Sequence, residues 1–252
     1  MNLHIDNGEG RITARLTPWD ERALGFVTAE VTVLDVATLA HAAPLLVELE
    51  RWCATHSVHY LFGRIDATQP VAKAVLLQHG FAFVETSLTV SRSGFANLPQ
   101  VPRGMLPTLR PATAGDVAEL RQIAATDFAH GRFLEDPAID PQRAALRTAN
   151  WIEDMVTGGL AYVAESRGRV IGFHAERIAA DRSNCELLLT GASGPYAMLA
   201  LPLWITALES LGARGIPHCT TLVSAANTGI INLYARLGFH FNSTLFGFRK
   251  FL

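Results

Sequence analysis

Between Ser91 and Pro111 the chain carries Pro99, Pro102, Pro107 and Pro111 together with Gly94 and Gly104. Each proline removes a backbone donor and biases the residue before it towards extended conformations. This stretch is therefore neither a helix nor a central strand, and it divides the 252 residues into two parts. The expected organisation is a first domain over 1–95, a linker over 96–107 and a second domain over 108–252. Both parts have ordinary domain sizes. Hydrophobic residues make up 49% and charged residues 17%, which supplies a core for each part and excludes a disordered chain.

The second part has readable punctuation. Asp116 is a candidate N-cap for a helix over Val117–Phe128, where Val117, Leu120, Ile123 and Ala124 keep helical spacing. Arg143–Val156 is a second helix, stopped by Gly158-Gly159. Trp151 is expected in its core face with Met155. Ala161–Ala164 and Val170–Ala175 flank a Gly-containing turn and read as a hairpin. Cys185–Thr190 is a further strand, followed by the loop Gly191–Pro195 and a helix with Leu201, Trp204, Ile205, Leu208 and Leu211 on one face. His218–Ser224 is a strand and Asn227–Leu237 a helix. Gly238-Phe239 closes that helix, and a final strand pair follows. The fold class is α+β, of the three-layer α/β type with a mixed central sheet.

Charge and cysteine content narrow the function. The formal net charge is −2 and the pI about 6.5, without the basic excess of a nucleic-acid binder. Cys53, Cys185 and Cys219 are odd in number and lack C-x-x-C spacing, which fits a reducing cytoplasm. No uninterrupted apolar run reaches the ~18 residues of a membrane helix, and no nucleic-acid or membrane partner is expected. The nine histidines form no H-x-x-x-H or H-x-H pair, so no metal site is expected. G-x-S-x-G and P-loop signatures are absent as well.

The informative stretch is Gly191–Phe239, and within it SAANTGIINLYARLGF, residues 224–239. Asn227 and Tyr234 lie seven residues apart, two turns along one helix face, so both can address one ligand. From spacing alone, Asn227 is as readily a plain helix cap and Tyr234 a half-buried core residue. The segment resembles the closing motif of the GNAT acetyltransferases: an Asn opening a helix, a Tyr seven residues on, and a Gly-Phe end. That resemblance implies a GNAT fold for 108–252 and acetyl-CoA as co-substrate. It also implies a splay between Glu186–Thr190 and His218–Ser224 that admits the pantetheine arm. On this reading the backbone N–H of Leu189 meets the charge developing on the thioester carbonyl, and Thr190 lines the arm. Tyr234 protonates the leaving thiolate, a role that suits a phenol with an ordinary pKa of about 10.

The family's phosphate-binding Q/R-x-x-G-x-G/A is degenerate here, since neither Gln nor Arg occurs from Leu187 to Thr206. If Gly194 is the first motif glycine, Pro202 falls inside the helix at a cost of about 3 kcal/mol. If Met198-Leu199-Ala200 takes the motif's place, Pro202 falls in the first turn, where proline is tolerated. The second register is preferred, with Ala197, Met198, Ala200 and Asn227 as candidate co-substrate contacts. The general base is not identifiable. His174, Glu176 and Glu186 are candidates, and strand alternation lets His174 and Glu176 share a face.

FAHGRFLEDPAID and ANWIEDMVTGG, within 128–159, resemble the corresponding region of the TDP-fucosamine acetyltransferases, as does LTPWDERALGF near the start. Those enzymes acetylate the amine of a nucleotide-linked amino sugar. The resemblance implies Arg132 and Phe133 on the acceptor side, pairing with a diphosphate and stacking on a ring, with Trp151 beside them as the alternative to its place in the core. A solvated Arg132 and a core Phe133 remain the alternative. The expected partners are a small-molecule amine, with a nucleotide sugar favoured, and a second copy of the chain in a homodimer. A different small amine or antibiotic as acceptor, or a non-catalytic CoA-binding module, are the rival readings.

The first part reads as a decayed copy of the second. Gly80-Phe81 recurs as Gly238-Phe239, 158 positions on (238 − 80). The same offset pairs Pro44 with Pro202, Phe83 with Phe241 and Thr86 with Thr244, without a gap. It sets Leu76 opposite Tyr234 and Gln69 opposite Asn227. The expectation is a smaller GNAT-like N-terminal α/β domain, catalytically silent for want of the proton donor.

Overall fold

A computed structural model describes residues 2–252. They form two compact units. One comprises residues 2–88, 131–140 and 243–252, and the other residues 89–130 and 141–242. Gly131–Asp140 and Ser243–Leu252, which the expected division assigns to the second domain, thus pack with the first unit.

In the first unit, β1 (Asn2–Asp6) and β2 (Gly10–Leu16) form a hairpin, followed by the short helix α1 (Pro18–Leu24). Then come β3 (Thr28–Val36), α2 (Leu39–Thr55), β4 (Tyr60–Asp66) and α3 (Pro70–Gln78). β5 spans Ala82–Ser93. The sheet order is β1-β2-β3-β4, with β3 and β4 parallel, and its next strand is β11 (His240–Phe251), antiparallel to β4. A single long strand thus stands where a final strand pair was expected. Leu45, Leu46 and Leu49 of α2 and Val75 and Leu76 of α3 keep helical spacing and close over Ile12, Ala29, Leu61 and Ile65 of the sheet. Each fully buried aliphatic side chain contributes about 1.5–3 kcal/mol of transfer free energy.

The second unit has the sheet order β6-β7-β8-β9-β10: β6 (Thr108–Pro111), β7 (Ala161–Ser166), β8 (Arg169–Ile178), β9 (Cys185–Ala192) and β10 (His218–Ser224). All neighbours are antiparallel except β9 and β10. α4 (Val117–Thr126) and α5 (Pro141–Thr157) cover one face through Leu120, Ile123, Ile152 and Met155, which pack on Val163 and Phe173. Trp151 packs at the margin of this core, with the Arg147 guanidinium 4.7 Å from its ring centroid. α6 (Ala200–Ala213) and α7 (Thr228–Arg236) follow. Gly194–Ala213 is long and apolar enough by composition to cross a bilayer. Within the unit, however, α6 buries Leu203, Trp204, Ile205, Ala207, Leu208 and Leu211.

Asp116 does not cap α4 with its side chain. Its carboxylate turns back to the Thr113 N–H at 2.8 Å and to the Arg110 guanidinium at 2.7 and 2.8 Å. A charge-assisted bidentate pair outcompetes a neutral cap bond.

The internal repeat is legible in the element boundaries. Shifted by the 158-residue offset, β4, α3 and β5 coincide end to end with β10, α7 and β11. α2 and α6 end at matching positions, Thr55 and Ala213.

Candidate active site

The parallel strands β9 and β10 pair at Cys185–Cys219 and Thr220–Glu186. Beyond Glu186 and Thr220 they share no further register pair among the described residues, so both strands run on with facing backbone edges unengaged by each other. The Thr221 hydroxyl donates to the Leu187 carbonyl at 2.8 Å, spanning the start of the gap. The first unit is closed at the same place. β3 and β4 stay paired through Val31–Gly63, one residue beyond Glu30–Phe62, the pair that matches Glu186–Thr220. Gly63 stands where the second unit has Thr221, and a Cβ there would lie 2.7 Å from the Val31 carbonyl oxygen. A side chain at that position would hold the strands apart.

Tyr234 lies in α7 and is 4% exposed. Trp204 meets its ring edge-on at 5.1 Å between centroids, and Phe239 packs at 4.8 Å. Burial pushes its phenol well above the ordinary value, opposed by a hydrogen bond shared with the Thr221 hydroxyl. The same Thr221 hydroxyl, which donates to the Leu187 carbonyl, stands beside the phenol where the strands part. In the first unit the matching Leu76 is buried among Val31, Ile65, Phe81 and Phe248.

Next to the gap, β8 and β9 hold a buried polar chain. His174 is 1% and Glu176 3% exposed. His174 Nδ1 lies 2.7 Å from Thr190 Oγ1 and Nε2 lies 3.0 Å from Glu176 Oε2. The Arg214 guanidinium, just past the end of α6, donates to Glu176 Oε1. Burial pushes the Glu176 carboxyl up, but hydrogen bonds from His174 and Arg214, with their charges, outweigh it and bring the pKa down to about 2. Because the folded value lies below the ordinary 4.5, this stabilisation is present above pH ~4.5 and lost as pH falls towards ~2. Glu176→Gln is expected to flatten the stability profile across that window, measured by urea unfolding at stepped pH.

The remaining sequence candidates fall as follows. Leu189 and Thr190 lie on β9 beyond its last pair with β10, and Leu189 packs against the α4–α5 core. A 3-10 turn over Gly194–Leu199 leads into α6, with Ala197 exposed, Met198 80% exposed and Ala200 the first helical residue. Pro202 is the third residue of α6, inside the first turn, where a missing N–H breaks no helical bond. Asn227 caps α7, its side chain accepting from the Ile230 N–H at 3.1 Å. Arg132 and Phe133 belong to the first unit, apart in the chain's division from the candidates above. The Arg132 guanidinium lies 4.2 Å over the Phe62 ring and pairs with Glu30 at 3.2 Å. Phe133 is 6% exposed and packs on Tyr60 and Phe62. Both side chains are engaged by the fold. Sequence reasoning missed Thr221 and Arg214, because neither belongs to a motif; each is selected by the strand or helix end that carries it.

No protein-family model matches the chain. It is 27% identical over 186 residues to a mycothiol acetyltransferase from a Nocardioides species, a match covering 68% of this chain and 62% of that protein. The match thus spans less than two thirds of the relative's length. Among solved structures, a GCN5-related N-acetyltransferase from Sphaerobacter thermophilus superposes with a TM-score of 0.67 at 19% identity, over 98% of this chain and 82% of that one. A tandem GNAT protein from the clavulanic acid biosynthesis pathway gives 0.65 at 15% identity, over 99% and 83%. A GCN5-related N-acetyltransferase from Kribbella flavida gives 0.61 at 16% identity, over 99% and 89%. These likenesses establish a GNAT fold and are consistent with a tandem GNAT-like architecture.

Proposed function

We propose that this GNAT-fold chain is an acyl-CoA-dependent N-acyltransferase whose second unit moves an acetyl group from acetyl-CoA directly to an amine. The observation that carries the reading is the phenol of Tyr234, tied through Thr221 to the point where β9 and β10 diverge. The residues present suit acetyl-CoA as co-substrate. The parted strands offer free backbone edges to an amide-bearing arm. At the start of α6 the Ala200 N–H is taken by the Ala197 carbonyl and Pro202 has none, so the helix's positive N-terminal end is what it offers a pyrophosphate. Met198 lies open beside it to cover an apolar group.

In the reaction, the amine nitrogen attacks the thioester carbon while the C–S bond breaks. The Leu189 N–H is assigned to the charge developing on the carbonyl oxygen. Tyr234 gives its proton to the departing sulfur. Burial raises the phenol, but the same dry surroundings raise the proton affinity of the thiolate, so the transfer remains matched. The first unit, with Leu76 and Gln69 at the matching positions, is assigned no turnover of its own.

For the acceptor, the resemblance of the 128–159 stretch favours a nucleotide-linked amino sugar; Arg132 and Phe133, which that resemblance names, are engaged within the first unit by Glu30, Tyr60 and Phe62. A second reading, an acceptor of the mycothiol type, draws on the Nocardioides relative. Calorimetry with acetyl-CoA is expected to give one site per chain. A panel of nucleotide amino sugars, aminoacylated amino sugars, amino-acid amides and aminoglycosides, scored by CoA release, is expected to select one class. A protein that binds no acetyl-CoA and releases no CoA is a non-catalytic module instead.

A further inference from the structure

Three groups in the second unit form a carboxylate–imidazole–hydroxyl line for which the reading above has no use: Glu176 Oε2, His174 and Thr190 Oγ1, joined at 3.0 and 2.7 Å. Two of its members are buried, at 3% and 1% exposure, while Thr190 is half-buried and sits on β9 in the segment that no longer pairs with β10. The line therefore begins in the wall of the gap and runs inward.

We infer that Thr190 and His174 form the proton relay that deprotonates the attacking amine, with Glu176 and Arg214 as positioning residues. The inference rests on the acyltransferase reading and supplies its missing base. Its logic is that of a catalytic triad run through a hydroxyl that passes a proton on and does not attack. With Nε2–H donating to Glu176, Nδ1 is left to accept from the Thr190 hydroxyl. As the C–N bond forms, the nitrogen proton passes to Thr190 Oγ1 while the proton already on Thr190 passes to His174 Nδ1. The imidazolium so formed lies against the Glu176 carboxylate. His174 then returns its proton to solvent through Thr190, and Tyr234, having protonated the thiolate, recovers one from solvent. The net change is an amide and a free thiol, with protons balanced.

The surroundings of His174 favour this assignment. Glu176 on β8 is anionic, and Arg214 neutralises its far oxygen. Tyr162 on β7 stacks near the ring at 6.4 Å, and Trp204 of α6 meets it at 6.2 Å. The Cys185 thiol of β9 donates to Glu176 Oε2 at 3.7 Å, and burial, with the charge of Glu176, keeps it protonated. Cys219 of β10 is pushed up to about 12 by burial and is neutral too. The phenol of Tyr234 in α7 is held neutral by its burial. Among the described residues, the charged groups facing the relay are thus the Glu176 carboxylate and the Arg214 guanidinium.

Thr190→Val keeps the shape and removes the hydroxyl, and Thr190→Ser restores it. Wild type and both variants are compared with whichever amine of the panel releases CoA fastest, recording kcat across pH 5–9, the acetyl-CoA Kd and Tm. T190V is expected to lose about 30-fold in kcat, within the range of general-base catalysis, and to lose the rising acid limb of the profile. T190S is expected to stay within about threefold of wild type with the limb intact, and all three to share one Kd to within about twofold. T190V with wild-type kcat and limb overturns the relay while leaving the acyltransferase reading in place. Acetyl recovered covalently on Thr190 by peptide mass overturns it as well, by making the hydroxyl a nucleophile. Wild-type protein that releases no CoA with any amine overturns the reading and the relay together.

Discussion

Replacing Tyr234 with Phe is expected to lower kcat about 100-fold, the low end of what a positioned general acid contributes, while the Kd for acetyl-CoA changes less than about twofold. The asymmetry follows from when the proton is needed. The thioester sulfur in the ground state is a poor hydrogen-bond acceptor, and it gains charge only as the C–S bond breaks. An interaction that strengthens only on that path moves kcat and leaves binding almost untouched. The variant should fold, because the ring keeps its contacts with Trp204 and Phe239 and loses one hydrogen bond to Thr221, worth about 1 kcal/mol. Thr221→Val separates positioning from chemistry. It removes the group that aims the phenol and is expected to cost kcat about tenfold with the phenol still present. Initial rates of CoA release with calorimetric Kd values read both effects. Equal kcat for Tyr234→Phe and wild type would remove the phenol from the mechanism.

Much of this arrangement was legible in the sequence, for identifiable physical reasons. The Gly-Phe that closes α7 and its partner at Gly80-Phe81 mark helix ends that need a left-handed residue, with φ of +73° and +78°. From those two anchors the 158-residue offset sets β4, α3 and β5 on β10, α7 and β11 end to end. Pro202 pointed to where α6 begins, because a proline is tolerated in a first turn and costly further in. Alternation put His174 and Glu176 on one face. What stayed hidden depended on partners distant in sequence. Thr190 was chosen as a lining residue, but nothing local shows that it meets His174, sixteen residues earlier in the chain. Nothing local marks Arg214, just past α6, as the partner of Glu176. Asp116 looked like a cap until Arg110 claimed it. The segment 131–140 reads as part of the second half, since no local signal reports which core a short acidic turn will join.

That segment supplies the largest expected change in stability. Replacing Asp136 with Ala is expected to cost about 3–5 kcal/mol, the range for removing one partner of a buried ion pair. Asp136 is 2% exposed. It accepts from the Tyr60 hydroxyl at 2.8 Å, from Arg249 Nε at 3.1 Å and from the Ala138 N–H at 2.9 Å. Three stretches far apart in sequence, β4, the 131–140 turn and β11, therefore meet on one carboxylate inside the first unit. Alanine leaves the Tyr60 phenol and the Arg249 guanidinium without it, and the guanidinium then holds a partly buried charge unpaired. The phenol shows how dry the place is: burial, then the charge of Asp136, pushes it far above its ordinary value. A raised phenol is stabilising below pH ~10 and loses that stabilisation as alkali ionises the unfolded chain first. Wild type should therefore weaken above pH ~10, and Tyr60→Phe should remove most of that weakening at a cost near 1 kcal/mol at neutral pH. Because Tyr60 and Arg249 share one acceptor, Tyr60→Phe combined with Asp136→Ala should destabilise by less than the two changes separately. Urea unfolding of the four proteins at pH 7 and pH 10.5 tests the set. If Asp136→Ala costs under about 1 kcal/mol, as a surface ion pair would, the carboxylate is not the clamp that joins the turn to β4 and β11.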